Sequence, residues 1–307
     1  DGHGCLPFGV GFTLRGVPAS PTAPCHLLFR SERCPRPHPA PSTAVAPANT
    51  GIHPSADDRL RYARRMADDR ASAERKGTLA RVRTVPATTA LVVTGVVGGL
   101  VFVALMLGAA SVYDAVAEAD GVAGLDRPVL DWAIGVRTPL ADVVVTAFTN
   151  LGTTLPMVAI GGSLMLALYL AFRRRTIVVL MLVAAAGGIT FTIVGKALVG
   201  RSRPPLADAV PPYESSFSFP SGHTLNSTVV AGMLAYLVVW LAPRVWMRVA
   251  AVLGATLWAV AMGLSRVFLG HHWLTDVIFA WLFGLGWLAL LITVHRLLLR
   301  RQVLAEP

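Results

Sequence analysis

Six apolar runs govern what this chain can become. They lie at about residues 88 to 112, 153 to 172, 176 to 199, 223 to 241, 246 to 265 and 274 to 294. Each is close to the roughly 20 residues that a helix needs to cross about 30 Å of hydrocarbon. Gly and Ala recur through them, as in AAAGGIT and GATLWAVAMG, which suits close helix packing in lipid. The expected fold is all-α: a polytopic membrane bundle of six transmembrane helices over residues 86 to 300. Composition agrees, with 54% of the 307 residues of the AVILMFWYC type, 14% charged and a mean hydropathy of +0.60. A disordered chain, a disulfide-stapled secreted domain and a nucleic-acid-binding domain each need a composition that is missing here.

The net charge of +10 reads as topology, because Lys and Arg collect in the cytoplasmic loops of membrane proteins. Arg70, Arg75, Lys76, Arg81 and Arg83 precede the first span. Arg173 to Arg175 join the second and third, Arg244 and Arg248 the fourth and fifth, and Arg296, Arg300 and Arg301 follow the sixth. These four segments share one side, which is expected to be cytoplasmic together with both termini. Between the first two spans lie Asp114, Glu118, Asp120, Asp126, Asp131 and Asp142 against only Arg127 and Arg137. The stretch LDRPVLDWAIGVRTPLADVVVTAF reads as one or two short amphipathic helices at the outer interface, with Trp132 as an anchor.

Residues 1 to 85 are a different material, rich in Pro, Ala, Ser and Arg, and are expected to form a disordered cytoplasmic tail. The chain starts at Asp1, and Met66 stands shortly before the first apolar run; residues 1 to 65 are accordingly expected to include non-native sequence. Residues 301 to 307 are read as a short cytoplasmic C-terminal tail. Cys5, Cys25 and Cys34 form no metal or redox spacing and are assigned no chemistry.

Several polar residues remain that topology does not explain, and all fall on the outer side. Lys196, Arg201 and Arg203 end or follow the third span, His223 opens the fourth, Arg266 closes the fifth, and His271, His272 and Asp276 open the sixth. Singly, each has an ordinary structural account: a snorkelling lysine, a loop arginine, an interfacial histidine, an acid facing a helix N-terminus. Together they place four cations where the positive-inside bias disfavours them, and binding an anion is the simplest reason. Lys196 and Arg203 would set a point charge and a planar fork around a tetrahedral oxyanion. Ser221 suits an N-cap after Pro220, Gly222 allows close backbone approach, and the helix start offers N–H donors beside His223. The i, i+4 spacing of His272 and Asp276 predicts that they share a helix face, with the carboxylate holding one ring nitrogen protonated and the other left nucleophilic. A metal site at His271, His272 and Asp276 is disfavoured, because the surrounding cations would repel a divalent ion.

The pattern Lys196-x6-Arg203-Pro204, then Pro220-Ser221-Gly222-His223, then Ser265-Arg266-x5-His272-x3-Asp276 resembles the three-part signature of the type 2 phosphatidic acid phosphatase superfamily. The match covers every signature position across roughly residues 195 to 277. The resemblance implies that Lys196, Arg203 and Arg266 hold a phosphate, assisted by Ser221 and the backbone at Gly222. It implies that His272 attacks phosphorus to give a phosphohistidine, that Asp276 orients His272, and that His223 protonates the leaving oxygen. No cofactor and no metal is implied. A site at the membrane face suits a lipid phosphate or pyrophosphate, and the family's substrates include phosphatidic acid, phosphatidylglycerol phosphate and undecaprenyl-type pyrophosphates. The bacterial look of the sequence favours the last of these. Two rivals stand beside this hydrolase: a lipid phosphotransferase using the same phosphohistidine, and a membrane protein that binds an anion without turning it over. The superfamily also resembles vanadate-dependent haloperoxidases in its anion site, but six hydrophobic spans argue against that soluble use. Oligomeric state, and contact of Arg201 or His271 with substrate, stay open at this stage.

Overall fold

The computed structural model of the chain describes residues 56–79 and 86–305. The chain divides into two units, Asp1–Arg81 and Val82–Pro307, each taken by itself. In the first, α1 (Ala56–Leu79) is a single helix of charged and Ala residues. Ala, Arg, Leu and Glu are good helix formers, and Arg61 pairs with Asp57 one turn back at 3.1 Å. This part of the expected tail is therefore helical: low apolar content reports the lack of a core to build, which does not forbid a local helix. The rest of the tail, with its three cysteines, lies outside the described residues.

The second unit is helical, with no strand among the described residues. Six helices are long and apolar enough to cross a membrane: α2 (Ala87–Glu118), α5 (Thr154–Phe172), α6 (Arg175–Val199), α7 (Gly222–Leu241), α8 (Val245–Phe268) and α9 (Leu274–Ala305). They fall on the six apolar runs, and several extend beyond them. α2 carries its helix through Asp114 and Glu118, and α9 continues to Ala305, into the segment read as a C-terminal tail. Hydropathy marks only the part of a helix that lies in hydrocarbon, whereas the backbone hydrogen bonds continue into the polar region. Outward faces are apolar, with Val92, Val96, Leu100 and Leu107 on α2 and Leu253 and Leu257 on α8 largely exposed. Such surfaces belong in lipid.

α7 is the central span. Leu225, Val229, Met233 and Leu237 are each 0–1% exposed and pack with Ile177, Met181 and Ala184 of α6 and Ala280 and Leu288 of α9. α2 packs along α9, and at Gly98 an added Cβ would lie 2.0 Å from Thr293 Oγ1. The small residue is what lets these two backbones meet. The amphipathic stretch between the first two spans forms two short helices, α3 (Asp126–Gly135) and α4 (Pro139–Asn150). Thr138 accepts from Ala141 N at 3.2 Å, and Pro139 opens α4, a start that suits both residues.

Candidate active site

Four chain segments meet at one end of the bundle: the last turn of α6, the loop 200–221 with the start of α7, the last turn of α8, and the loop that leads into α9. They bring Lys196, Arg203, His223, Arg266, His272 and Asp276 together. Lys196 Nζ donates to Ser216 Oγ at 2.9 Å and to Phe217 O at 2.5 Å. Arg203 donates to His271 O at 2.5 Å and Ser216 O at 2.7 Å, and pairs with Glu214 at 3.2 Å. Arg266, 1% exposed, donates to Thr149 Oγ1 at 3.1 Å and forms an ion pair with Glu214. His223 Nε2 and Arg266 Nε are buried with no partner among the described residues. Buried polar atoms are rarely left unmatched, and both line or adjoin space that a ligand could fill.

His272 is 1% and Asp276 0% exposed. Asp276 lies in the first turn of α9, but His272 precedes that helix by two residues, so the two do not share a helix face. The expected pair forms through the connecting loop, with His272 Nδ1 3.3 Å from Asp276 Oδ2. Trp273 N donates to the same carboxylate oxygen at 3.0 Å, which turns the loop back on the helix start. His272 Nε2 lies 3.2 Å from Arg203 Nη1. A guanidinium can only donate, so Nε2 is the unprotonated nitrogen and Nδ1 carries the hydrogen toward Asp276. Burial and then Arg203, Arg266 and Lys196 hold this imidazole well below the usual histidine range, leaving it neutral. His271 is pushed down to about 4 by burial and Arg266. Its Nε2 lies 2.7 Å from Val210 O, so it braces the loop.

Ser221 is the N-cap residue of α7 but is fully buried, with its hydroxyl 2.8 Å from Thr224 Oγ1. Its side chain thus pairs within the first turn of α7. Gly222 is tight for a reason within the fold: an added Cβ would lie 2.9 Å from Thr192 Cγ2 of α6. Gly270, with φ of +69°, packs its Cα against Asp208 O, which an added Cβ would approach to 2.5 Å.

Three partners escape sequence reasoning. Glu214 sits between Arg203 and Arg266; burial raises its carboxyl, but Arg266 and Arg203 outweigh this and hold it at about 2. Ser218, fully buried, donates to Asp276 Oδ2. Asp126 of α3, which is buried, pairs with the part-buried Arg201 at 2.6 Å behind Asp276. Arg201 is visible in the sequence as an outer cation, whereas Glu214 and Ser218 lie in a polar loop without periodicity.

Two cavities open on this cluster. A cleft of about 570 Å³ is lined at its polar end by Lys196, Glu214, His223 and His272, and runs between α5 and α6 past Met157, Gly162, Met165 and Met181. A second, polar cavity of about 300 Å³ is lined by Thr149, Asn150, Pro212, Glu214, His223 and Arg266. Three cations face one carboxylate here, leaving two positive charges unmatched beside a neutral, aligned imidazole.

These features define a polytopic membrane protein with a cluster of cations and histidines at one end of its bundle. Residues 176–300 match the PAP2 superfamily. The chain is 35% identical over 173 residues to phosphatidylglycerophosphatase B of Bacillus subtilis (strain 168), covering 54% of this chain and 81% of that protein. Its fold is similar to the crystal structure of a transmembrane PAP2 type phosphatidylglycerolphosphate phosphatase from Bacillus subtilis. That match has a TM-score of 0.56 at 27% identity over 65% of this chain and 96% of the other. The chain belongs to the PAP2 superfamily, as its three-part signature implied.

Proposed function

We propose that this protein is a lipid phosphate phosphatase that works through a phosphohistidine at His272. The cleft carries the reading: it joins the cation cradle to an apolar trough among the spans. From Thr154 to Met165 the trough follows α5 for about 16 Å, half the thickness of the hydrocarbon. A phosphate monoester with an acyl or prenyl tail fits both ends, and a soluble phosphate ester fits only one. Phosphatidylglycerol phosphate is the first substrate to test, because relatives are named for it. The arginine-rich loops are assigned to the cytoplasm, and the site to the opposite face.

In this reading Lys196, Arg203 and Arg266 bind the phosphate oxygens, and the unmatched donors of Arg266 and the α7 start complete the cradle. Arg203 leaves His272 Nε2 for the phosphate, freeing the lone pair. The lone pair attacks phosphorus, the ester P–O bond breaks, and His223 gives its proton to the leaving lipid oxygen. Asp276 stabilises the cation that forms on the ring. Water then attacks the phosphohistidine, returns a proton to His223 and releases inorganic phosphate. The three cations supply the charge stabilisation, so the reaction is assigned to the protein alone, without a metal.

The test is phosphate release by detergent-purified protein from phosphatidylglycerol phosphate, phosphatidic acid and a polyprenyl pyrophosphate, in EDTA. Release lost in His272→Ala supports the reading. Phosphate passed from the lipid to an alcohol acceptor, or no turnover by folded protein, overturns it. Gly162 lines the trough, and an added Cβ there meets nothing within 4 Å. Gly162→Phe should therefore lower kcat/KM more for long-chain than for short-chain substrates, and equal losses would count against a lipid tail in the trough.

A further inference from the structure

The carboxylate behind the nucleophile is itself held from behind. Asp276 divides its two oxygens: Oδ2 takes the His272 ring, Ser218 and Trp273 N, while Oδ1 takes Arg201 Nη1 at 2.6 Å. The same Arg201 nitrogen donates to Thr275 Oγ1 at 2.8 Å, and Nη2 reaches Asp126 Oδ2 at 2.6 Å. Asp126 in turn accepts from Thr275 N at 2.8 Å and Thr275 Oγ1 at 2.7 Å. A residue of α3 thus caps the first turn of α9, the turn that bears Asp276. The Trp273 ring covers the guanidinium at 5.6 Å.

We propose that Arg201 and Asp126 are positioning residues for the nucleophile. They fix the Asp276 carboxylate so that Oδ2 faces His272 Nδ1, and this keeps the hydrogen on Nδ1 and the lone pair on Nε2. Three of the five Arg201 N–H donors go to Asp126, Thr275 and Asp276, and Arg201 lines neither of the two cavities that open on the cradle. Buried ionised groups persist only when paired in good geometry, and Asp126 and Arg201 have side-chain exposures of 6% and 18%. The inference rests on His272 as nucleophile, and its test therefore includes a readout that does not depend on turnover.

The experiment compares the wild type with Arg201→Met, Arg201→Lys and Asp126→Asn as full-length protein in detergent micelles. In ¹⁵N-histidine spectra, with the His272 signals identified by His272→Ala, the wild type should show the Nδ1–H tautomer. Arg201→Met should transfer population to Nε2–H, and Arg201→Lys should partly restore the wild-type state. On phosphatidylglycerol phosphate, Arg201→Met should lower kcat between about tenfold and a hundredfold, as when an outer partner of a catalytic group is lost. KM should stay within about twofold, and Asp126→Asn should act in the same direction by less. In an Asp276→Asn background the Arg201 effect on kcat should largely vanish, since coupled residues are not additive. An unchanged His272 tautomer in folded Arg201→Met overturns the proposal. So does a rise in KM at constant kcat, which would make Arg201 a substrate contact. If His272→Ala keeps full activity while the tautomer shift is seen, the nucleophile assignment fails and the positioning geometry stands.

Discussion

His272 shows how the fold readies an imidazole for the nucleophilic role proposed for it: burial and three cations keep it unprotonated, and Arg203 faces the nitrogen that is left free. A depressed value means that the neutral ring persists as pH falls. The acid limb that His272 contributes to kcat/KM should therefore lie below pH 6.5, after allowance for the substrate's own ionisation. A limb above that value would show that the ring is not held neutral. Glu214 works in the opposite sense, because its carboxylate holds the two arginines that the phosphate needs. Glu214→Gln should lower KM severalfold, measured by initial rates, while a raised KM would make Glu214 part of substrate recognition. That the candidate residues gather at one end of the bundle was legible in the sequence, because the cations violate a topological bias and the histidines and Asp276 sit at fixed spacing from them. Glu214, Ser218 and Asp126 were not legible, because their roles depend on which loop folds over which helix end. Ser221 stands at the helix start that its position predicted, and its hydroxyl partner, Thr224, lies in the first turn of the same helix.

Among the elements, the six spans were readable because hydrocarbon thickness sets their length, whereas their polar ends had to be seen. α3 and α4 were readable as short amphipathic helices, yet nothing in their pattern said what they hold. Arg137, just before α4, donates to Phe268 O at 2.7 Å and to Asp208 O at 2.6 Å, and so ties the end of α8 to the loop after α6. Arg137→Ala leaves both carbonyls without that donor and should cost about 1.5–3 kcal/mol, read as a lower thermal midpoint in detergent. No change in midpoint would mean that the clamp is not needed. Gly270→Ala should also destabilise, since it meets both a left-handed backbone and the Asp208 carbonyl.

For the whole molecule, the arginine-rich loops and the cradle occupy opposite ends of the bundle, and the proposed orientation follows from charge alone. In a version whose native cysteines are replaced, a cysteine at Asp120 should react with an impermeant thiol reagent from the extracytoplasmic side, and one at Arg244 only from the cytoplasmic side. The reverse pattern would invert the assignment. The two cavities add a matter of traffic. Under the proposed function, a lipid would slide in sideways along α5 and α6, and its dephosphorylated product would leave by the same route without quitting the bilayer. Inorganic phosphate has no tail and would be poorly suited to that exit; the polar chamber beside Asn150 and Pro212 is the exit proposed for it. Narrowing the chamber with Asn150→Trp should slow turnover after a first burst while leaving the lipid's entry untouched. On that reading the site would act as a sorting point, with one product kept in the oil and the other let go into the water.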